Sequence, residues 1–145
     1  MNTPIQTLYL YLQSAGLFND WIGPGGNTQP APVVQTRLLE EEKVPGNKRL
    51  LLIKSVSAGS GDRYTSDPVF VFAIMGKVGE PPIYAETYAN LIYKALLDFD
   101  HADCVIGIDP LGGVNGAYKT ESGRPTYDME FTVSVDSGKL GAGVN

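Results

Sequence analysis

The sequence predicts an α+β domain in which a mostly antiparallel sheet of four to five strands packs against two helices. Three patterns indicate this class: a capped N-terminal helix, a long helix with one apolar face, and a final strand with strict alternation. With 145 residues, 43% of them hydrophobic, the chain has the size and composition of one folded domain. We therefore expect a single domain over residues 1–145, with a flexible tail from about residue 138.

The first helix has a clear entry signal. Thr3 can act as the N-cap, Pro4 fits the first helical position, and Gln6 completes a capping box. Its apolar stripe consists of Ile5, Leu8 and Leu12. Gly16 suits the left-handed position that ends a helix, so we expect this helix to stop there.

A long surface loop is predicted from Phe18 to Pro32, because FNDWIGPGGNTQPAP is rich in Gly and Pro and lacks a regular apolar period. Trp21 lies within it. The favoured interpretation is that the loop folds this side chain back onto the core; a contact with a partner protein is the alternative.

The middle of the chain is predicted to form strands. Val33–Leu39 and Arg49–Ser57 are β-rich and flank the acidic turn EEEKVPGN, so a hairpin is expected. The segment from Ala58 to Asp67 is polar and is predicted to be a flexible loop. Val69–Met75 is almost continuously apolar, which is typical of a central strand covered on both faces.

The clearest helix follows Pro81 and Pro82, in IYAETYANLIYKALLDF. Seven residues fall on one face at helical spacing: Tyr84, Tyr88, Leu91, Ile92, Ala95, Leu96 and Phe99. This periodicity indicates a helix packed on the sheet, and core packing accounts for its aromatic residues better than a ligand site does.

Two more strands are predicted after this helix. Cys104–Ile108 is short and apolar, and the Gly-rich stretch DPLGGVNGAYKTESGRP after it is expected to be a loop. In Thr126–Asp136 the apolar residues alternate with Asp128, Glu130, Thr132 and Ser134. One face of this last strand should belong to the core, while the other meets solvent or a partner.

Composition excludes several classes of function. A net charge of −5 and a pI near 4.7 disfavour a groove that neutralises nucleic-acid phosphates. One cysteine cannot form an internal disulfide, and the N-terminus lacks the pattern of a signal peptide or membrane span. We therefore expect a protein that folds in a cytoplasm and has no membrane partner.

The candidate chemical motifs each fail a specific requirement. The loop Gly59–Asp62 lacks the lysine of a phosphate-binding loop. In DFDHADC, Ala102 and Asp103 occupy positions where a calcium loop needs an oxygen ligand and a glycine. A lone His101 and a lone Cys104 cannot complete a zinc site, and a thiol in the apolar run CVIGI should be unreactive. We expect no enzyme activity, no metal and no cofactor.

The order of elements resembles the tail-terminator family of tailed bacteriophages. The resemblance covers roughly Thr3 to Ser137 and rests on LQSAGLF at the end of the first helix, DPVFVFAIMGKVG around the central strand, and the helix PPIYAETYANLIYKALLDF. These are similarities of pattern, and no functional residues can be transferred from the family.

The resemblance implies a structural virion protein at the head-proximal end of the tail, assembled in the host cytoplasm. It implies a homo-hexameric ring that caps the tail tube, stops its polymerisation and offers a surface to the head-completion proteins. DNA would pass through the lumen without specific binding. Two alternatives stay open: another neck, head-tail adaptor or minor tail subunit, and a small-ligand regulatory or enzymatic domain.

Five residues are candidates for contacts within such an assembly: Trp21, Arg63, Tyr64, Asp128 and Glu130. The loop from Ala58 to Asp67, which contains Arg63 and Tyr64, and the tail from Lys139 to Asn145 have few apolar residues. We expect both segments to become ordered by contact with neighbouring subunits. Asp128 and Glu130 are expected either to face the lumen or to form an ordinary outer surface.

Overall fold

The computed structural model describes residues 2–56 and 65–136, in which two helices cover one face of a mixed sheet. The helices are α1 (Pro4–Ser14) and α2 (Ile83–Leu97). The strands are β1 (Trp21–Ile22), β2 (Thr28–Gln29), β3 (Val33–Thr36), β4 (Leu50–Ser55), β5 (Thr65–Ser66), β6 (Val69–Met75), β7 (Val105–Pro110), β8 (Asn115–Lys119) and β9 (Pro125–Asp136). Neither helix combines the length and hydropathy that crossing a membrane requires, among the residues described.

The capping box predicted at the start of the N-terminal helix is confirmed. The Thr3 hydroxyl accepts a hydrogen bond from the Gln6 backbone N–H at 3.3 Å, and the Gln6 side chain accepts one from Thr3 at 3.0 Å. Gly16 has φ 83°, a conformation that is costly for other residues, and the helix ends just before it. Local sequence alone therefore sets both ends of α1.

The main sheet has the order β3-β4-β6-β9. β6 and the short strand β5 pair with one edge of β9, one after the other along it. β7 and β8 pair in the same way with the other edge of β9. Every pair is antiparallel except β3 with β4. The α+β class is confirmed. The sheet contains seven strands, more than the predicted four to five, because short segments complete the ladder along the long strand β9.

The predicted hairpin between the first two long strands is wrong, because β3 and β4 are parallel. A parallel pair needs a connection that returns to the starting end of the sheet, and residues 37–49 are long enough to provide it. This connection crosses the face opposite the helices. There Val44 packs on a second apolar cluster, formed by Leu50, Leu52, Val71, Ala73 and Met75.

Two predicted loops contain short strands. The segment from Phe18 to Pro32 holds a ribbon of β1 and β2, and the Gly-rich stretch holds β8. Every residue of β8 is exposed, so no apolar alternation marks it in the sequence. It forms because β9 extends beyond β7 and offers backbone groups for pairing. Thr65–Ser66, in the predicted polar loop, pair with the end of β9 in the same way.

The larger core lies between the helices and the sheet. On α2 the predicted stripe is mostly correct, since Tyr88, Ile92 and Leu96 are buried. All five predicted core residues of β9 are buried: Tyr127, Met129, Phe131, Val133 and Val135. β6 is central and is covered on both faces, as predicted, by the helices on one side and the 37–49 connection on the other.

Candidate assembly surfaces

Trp21 lies in the helix-side core, which agrees with the favoured interpretation of a loop side chain folded back. Its ring packs against Tyr88, with the ring centroids 5.1 Å apart, and is 5% exposed. The Arg49 guanidinium is inserted between the rings of Trp21 and Tyr84, at 5.3 and 5.0 Å from their centroids. Two hydrogen bonds of 3.0 and 2.9 Å connect this guanidinium to the Glu80 carboxylate. The buried charge is thus neutralised and the Trp-bearing loop is fixed to the sheet.

A second buried arginine, Arg124, fixes the 37–49 connection. Its two terminal nitrogens donate to four backbone carbonyls, at 2.6 Å for Lys48 and 2.9 Å for Val44, Pro45 and Gly76. Its Nε lies 3.2 Å from a Glu41 carboxylate oxygen, and that carboxylate also accepts a hydrogen bond from Ser122. Arg124 therefore satisfies the carbonyls of a turn-rich segment that makes few ladder bonds of its own.

The open part of the sheet's second face lies along β9 and carries carboxylates. Glu130 is exposed, and Asp128, half-buried, lies on the same side of the strand. The Tyr118 hydroxyl of β8 donates to Asp128 at 2.6 Å, and Asn115 approaches the same carboxylate at 3.5 Å. Burial raises the pKa of Tyr118, and the hydrogen bond and charge of Asp128 raise it further. One carboxylate is thus held in place while Glu130 stays free to meet a partner or solvent.

The five candidate contact residues do not form one site. Asp128 and Glu130 lie together on the open sheet face, while Trp21 is buried on the opposite, helix-covered side. Arg63 and Tyr64 lie outside the described residues, as do the tail from Lys139 to Asn145 and most of the loop predicted from Ala58 to Asp67. The ordering of those segments by neighbours stays a prediction.

The residues considered for catalysis or metal binding are dispersed. Cys104 is buried with its Sγ 3.5 Å from the Asn2 carbonyl oxygen, whereas the His101 ring is exposed and bonds to Asp100 at 3.0 Å. Within residues 2–56 and 65–136 no group of three or more His, Cys, Asp or Glu side chains could hold a metal ion.

Sequence reasoning missed three residues that shape these surfaces: Arg49, Tyr118 and Arg124. Both arginines border apolar strands, since Arg49 precedes β4 and Arg124 precedes β9. An arginine at such a position can be buried when it bonds to backbone carbonyls or to a carboxylate. The position of each arginine directly before an apolar strand could therefore have indicated a buried role. Tyr118 had no comparable signal, because its strand is exposed throughout.

Comparison with known families gives one match of nearly full length. A family model described as phage tail termination protein matches residues 1–137. No protein with a curated description matches the chain significantly. The matched range begins before α1 and ends just after β9, so it covers every helix and strand described above.

Proposed function

The chain belongs to the phage tail termination protein family, and on that premise we propose that it forms a hexameric ring that caps the tail tube. The ring stops polymerisation of the tube and gives the head-completion proteins a surface to join. The match over residues 1–137 is the observation that carries this proposal. A structural role in the phage tail follows from the family itself.

The proposed mechanism is steric and requires no chemical step. A ring on the last layer of tube protein covers the surface to which the next tube subunit would bind. A ring of identical subunits related by a rotation axis has two different ends. One end can therefore bind the tube while the other end presents a different surface. Growth stops when the exposed end no longer matches the tube protein, and a different partner can then bind there.

Within this ring we place the open face of β9 toward the lumen, with Asp128 and Glu130 lining the path of DNA. This face is the part of the sheet that neither the helices nor the 37–49 connection covers. Symmetry turns each carboxylate into a ring of carboxylates. With a Debye length of about 8 Å at physiological salt, such a ring repels phosphates across a narrow channel. DNA would then pass without being held, in agreement with a net charge of −5.

A tube-capping assay tests the main proposal. The purified protein is added to tail-tube subunits as they polymerise, and tube length is measured by negative-stain electron microscopy. We expect a ring at one end of the tubes and tubes that shorten as the protein concentration rises. Capped tubes should not extend when fresh tube subunits are supplied.

A second step of this assay separates the alternatives. Head-completion protein added to capped tubes should bind only at the ring. Unchanged tube growth together with binding to the head or neck would indicate an adaptor instead. If the protein affects neither growth nor joining, then the capping function is wrong.

A further inference from the structure

The β3 edge of the sheet carries backbone groups that point away from the molecule. Val33 N–H donates to Arg49 O at 2.8 Å and Arg37 N–H donates to Ile53 O at 2.8 Å, both toward β4. Because alternate residues of a strand point their backbone groups in opposite directions, the N–H groups of Val34 and Thr36 point outward. In the described chain no further strand pairs with this edge.

A groove with both polar and apolar side chains runs along this edge. α1 lies beside β3, and between them is a groove of about 440 Å³. The groove is lined by apolar Ile5, Tyr9, Leu10 and Val34 and by polar Asn2, Gln6, Thr36 and Arg37. Leu10 is 44% exposed. Outward-facing backbone groups next to a groove are the geometry that accepts an added strand, since backbone bonds supply affinity and the groove holds side chains.

The opposite border of the sheet is also open. Among the described strands, β7 and β8 pair only with β9. On the far side of β7, Val105 at its start bonds to Ala102, and no described strand pairs with the residues after it. Ile106 and Leu111 on this border are 47% and 48% exposed. The two borders therefore both offer backbone groups and apolar side chains, yet they differ in sequence and shape.

Strand directions make the two borders compatible. β3, β4 and β9 run one way, while β6, β7 and β8 run the other. When two copies stand side by side in the same orientation, as a rotation axis parallel to the strands requires, β3 of one meets β7 of the next in antiparallel direction. A ring needs two different surfaces on each subunit, and these borders supply them on opposite sides of the sheet.

We propose that β3 and the α1 groove of one subunit bind the β7 border of the next copy, so that the sheets join edge to edge around the ring. This inference rests on the ring proposed above and specifies the contact that builds it. A second copy is the occupant because the complementary border, with opposite strand direction and exposed Ile106, belongs to this same chain.

Blocking one border without disturbing the fold tests the inference. Thr36→Pro removes an outward N–H and leaves the bonds to β4 intact, whereas Thr36→Ala keeps that N–H and serves as the matched control. Native mass spectrometry should show rings for the unchanged chain and for T36A, but monomers for T36P. Circular dichroism checks that T36P is folded; if it is not, Leu10→Lys in the groove blocks the same border.

Mixing two blocked variants identifies the type of contact. Ile106→Glu places a charge on the β7 border and should also give monomers. T36P retains an intact β7 border and I106E an intact β3 border, so their mixture should give one-to-one dimers and nothing larger. Rings from T36P or from I106E alone would overturn the edge-to-edge contact while leaving the capping function in place. An unchanged chain that forms no ring, alone or on tubes, would overturn both proposals.

Discussion

The two faces of the sheet are held by different interactions. On the helix face, apolar side chains of α1 and α2 meet those of β4, β6 and β9 in one continuous core. On the other face a small apolar cluster around Val44 is held by Arg124, which binds four backbone carbonyls, and the rest of the face is open. Periodic burial thus builds one face, while directional bonds from a single side chain secure part of the other and leave Asp128 and Glu130 accessible.

The largest expected difference between the two faces is at neighbouring residues of β9. Phe131 is fully buried and packs edge-on against Phe72, with ring centroids 5.9 Å apart. Phe131→Ala should lower the free energy of unfolding by about 3–5 kcal/mol, because it leaves a cavity in a packed core. Thr132→Ala, on the opposite face of the same strand, should cost less than about 1 kcal/mol. Urea unfolding measures both, and equal losses would show that the faces contribute alike.

Arg124→Met tests whether the second face depends on one side chain. The variant keeps the length and apolar stem but leaves the carbonyls of Val44, Pro45 and Gly76 without their donor. The expected loss is roughly 2–4 kcal/mol, since buried acceptors lose their partners. Lys48→Met, which removes an exposed charge from the same connection, is the matched control and should change stability by less than about 0.5 kcal/mol. A loss no larger than that control would contradict this role of Arg124.

The difference between the faces also explains how much of the fold the sequence predicts. The sequence predicts the bounds of α1, α2, β6 and β9 nearly to the residue. Burial of a helix or strand face gives the apolar residues a regular spacing, of 3.6 residues in a helix and 2 in a strand. The buried side of each of these elements is likewise correct. These are the elements of the helix-covered core.

The errors concentrate where periodic burial is absent. The parallel pairing of β3 with β4 depends on the path of residues 37–49, which Arg124 fixes across distant positions. β8 exists only because β9 supplies a partner. Of the candidate contact residues, Asp128 and Glu130 were correctly placed on an open face by simple alternation. The tyrosine that holds Asp128 comes from a strand that has no apolar pattern, so it could not be foreseen.

Tyr118→Phe sharpens the comparison by removing one polar contact from the open face. Loss of the hydrogen bond to Asp128 should cost about 1 kcal/mol near neutral pH, because Tyr118 is half exposed. The pKa of Tyr118 is raised in the folded chain, so the unfolded chain loses this proton first, near pH ~10. The stability that Tyr118 contributes is therefore present below that pH and decreases above it. Urea unfolding from pH 8 to 12 should show the gap between the two proteins closing; a constant gap would contradict the assignment.

Among these substitutions, Glu130→Lys is expected to change stability least. It should instead change the binding of DNA by the assembled ring. Glu130 is exposed, so Glu130→Lys should change the free energy of unfolding by less than about 0.5 kcal/mol. In the assembled ring it would replace lumen carboxylates with a ring of ammonium groups. We expect measurable binding of duplex DNA by fluorescence anisotropy, weakening steeply with added salt, whereas the unchanged ring should not bind.

Glu121→Lys is the control that separates position from net charge. Glu121 is exposed and follows β8, and its replacement changes the charge of each subunit by the same amount. If the open face of β9 lines the lumen, Glu130→Lys concentrates positive charge where phosphates must pass, and the control places it elsewhere. DNA binding by Glu130→Lys alone would therefore support the lumen position. Equal binding by both variants would mean that overall charge is responsible, and it would count against the lumen position of the β9 face.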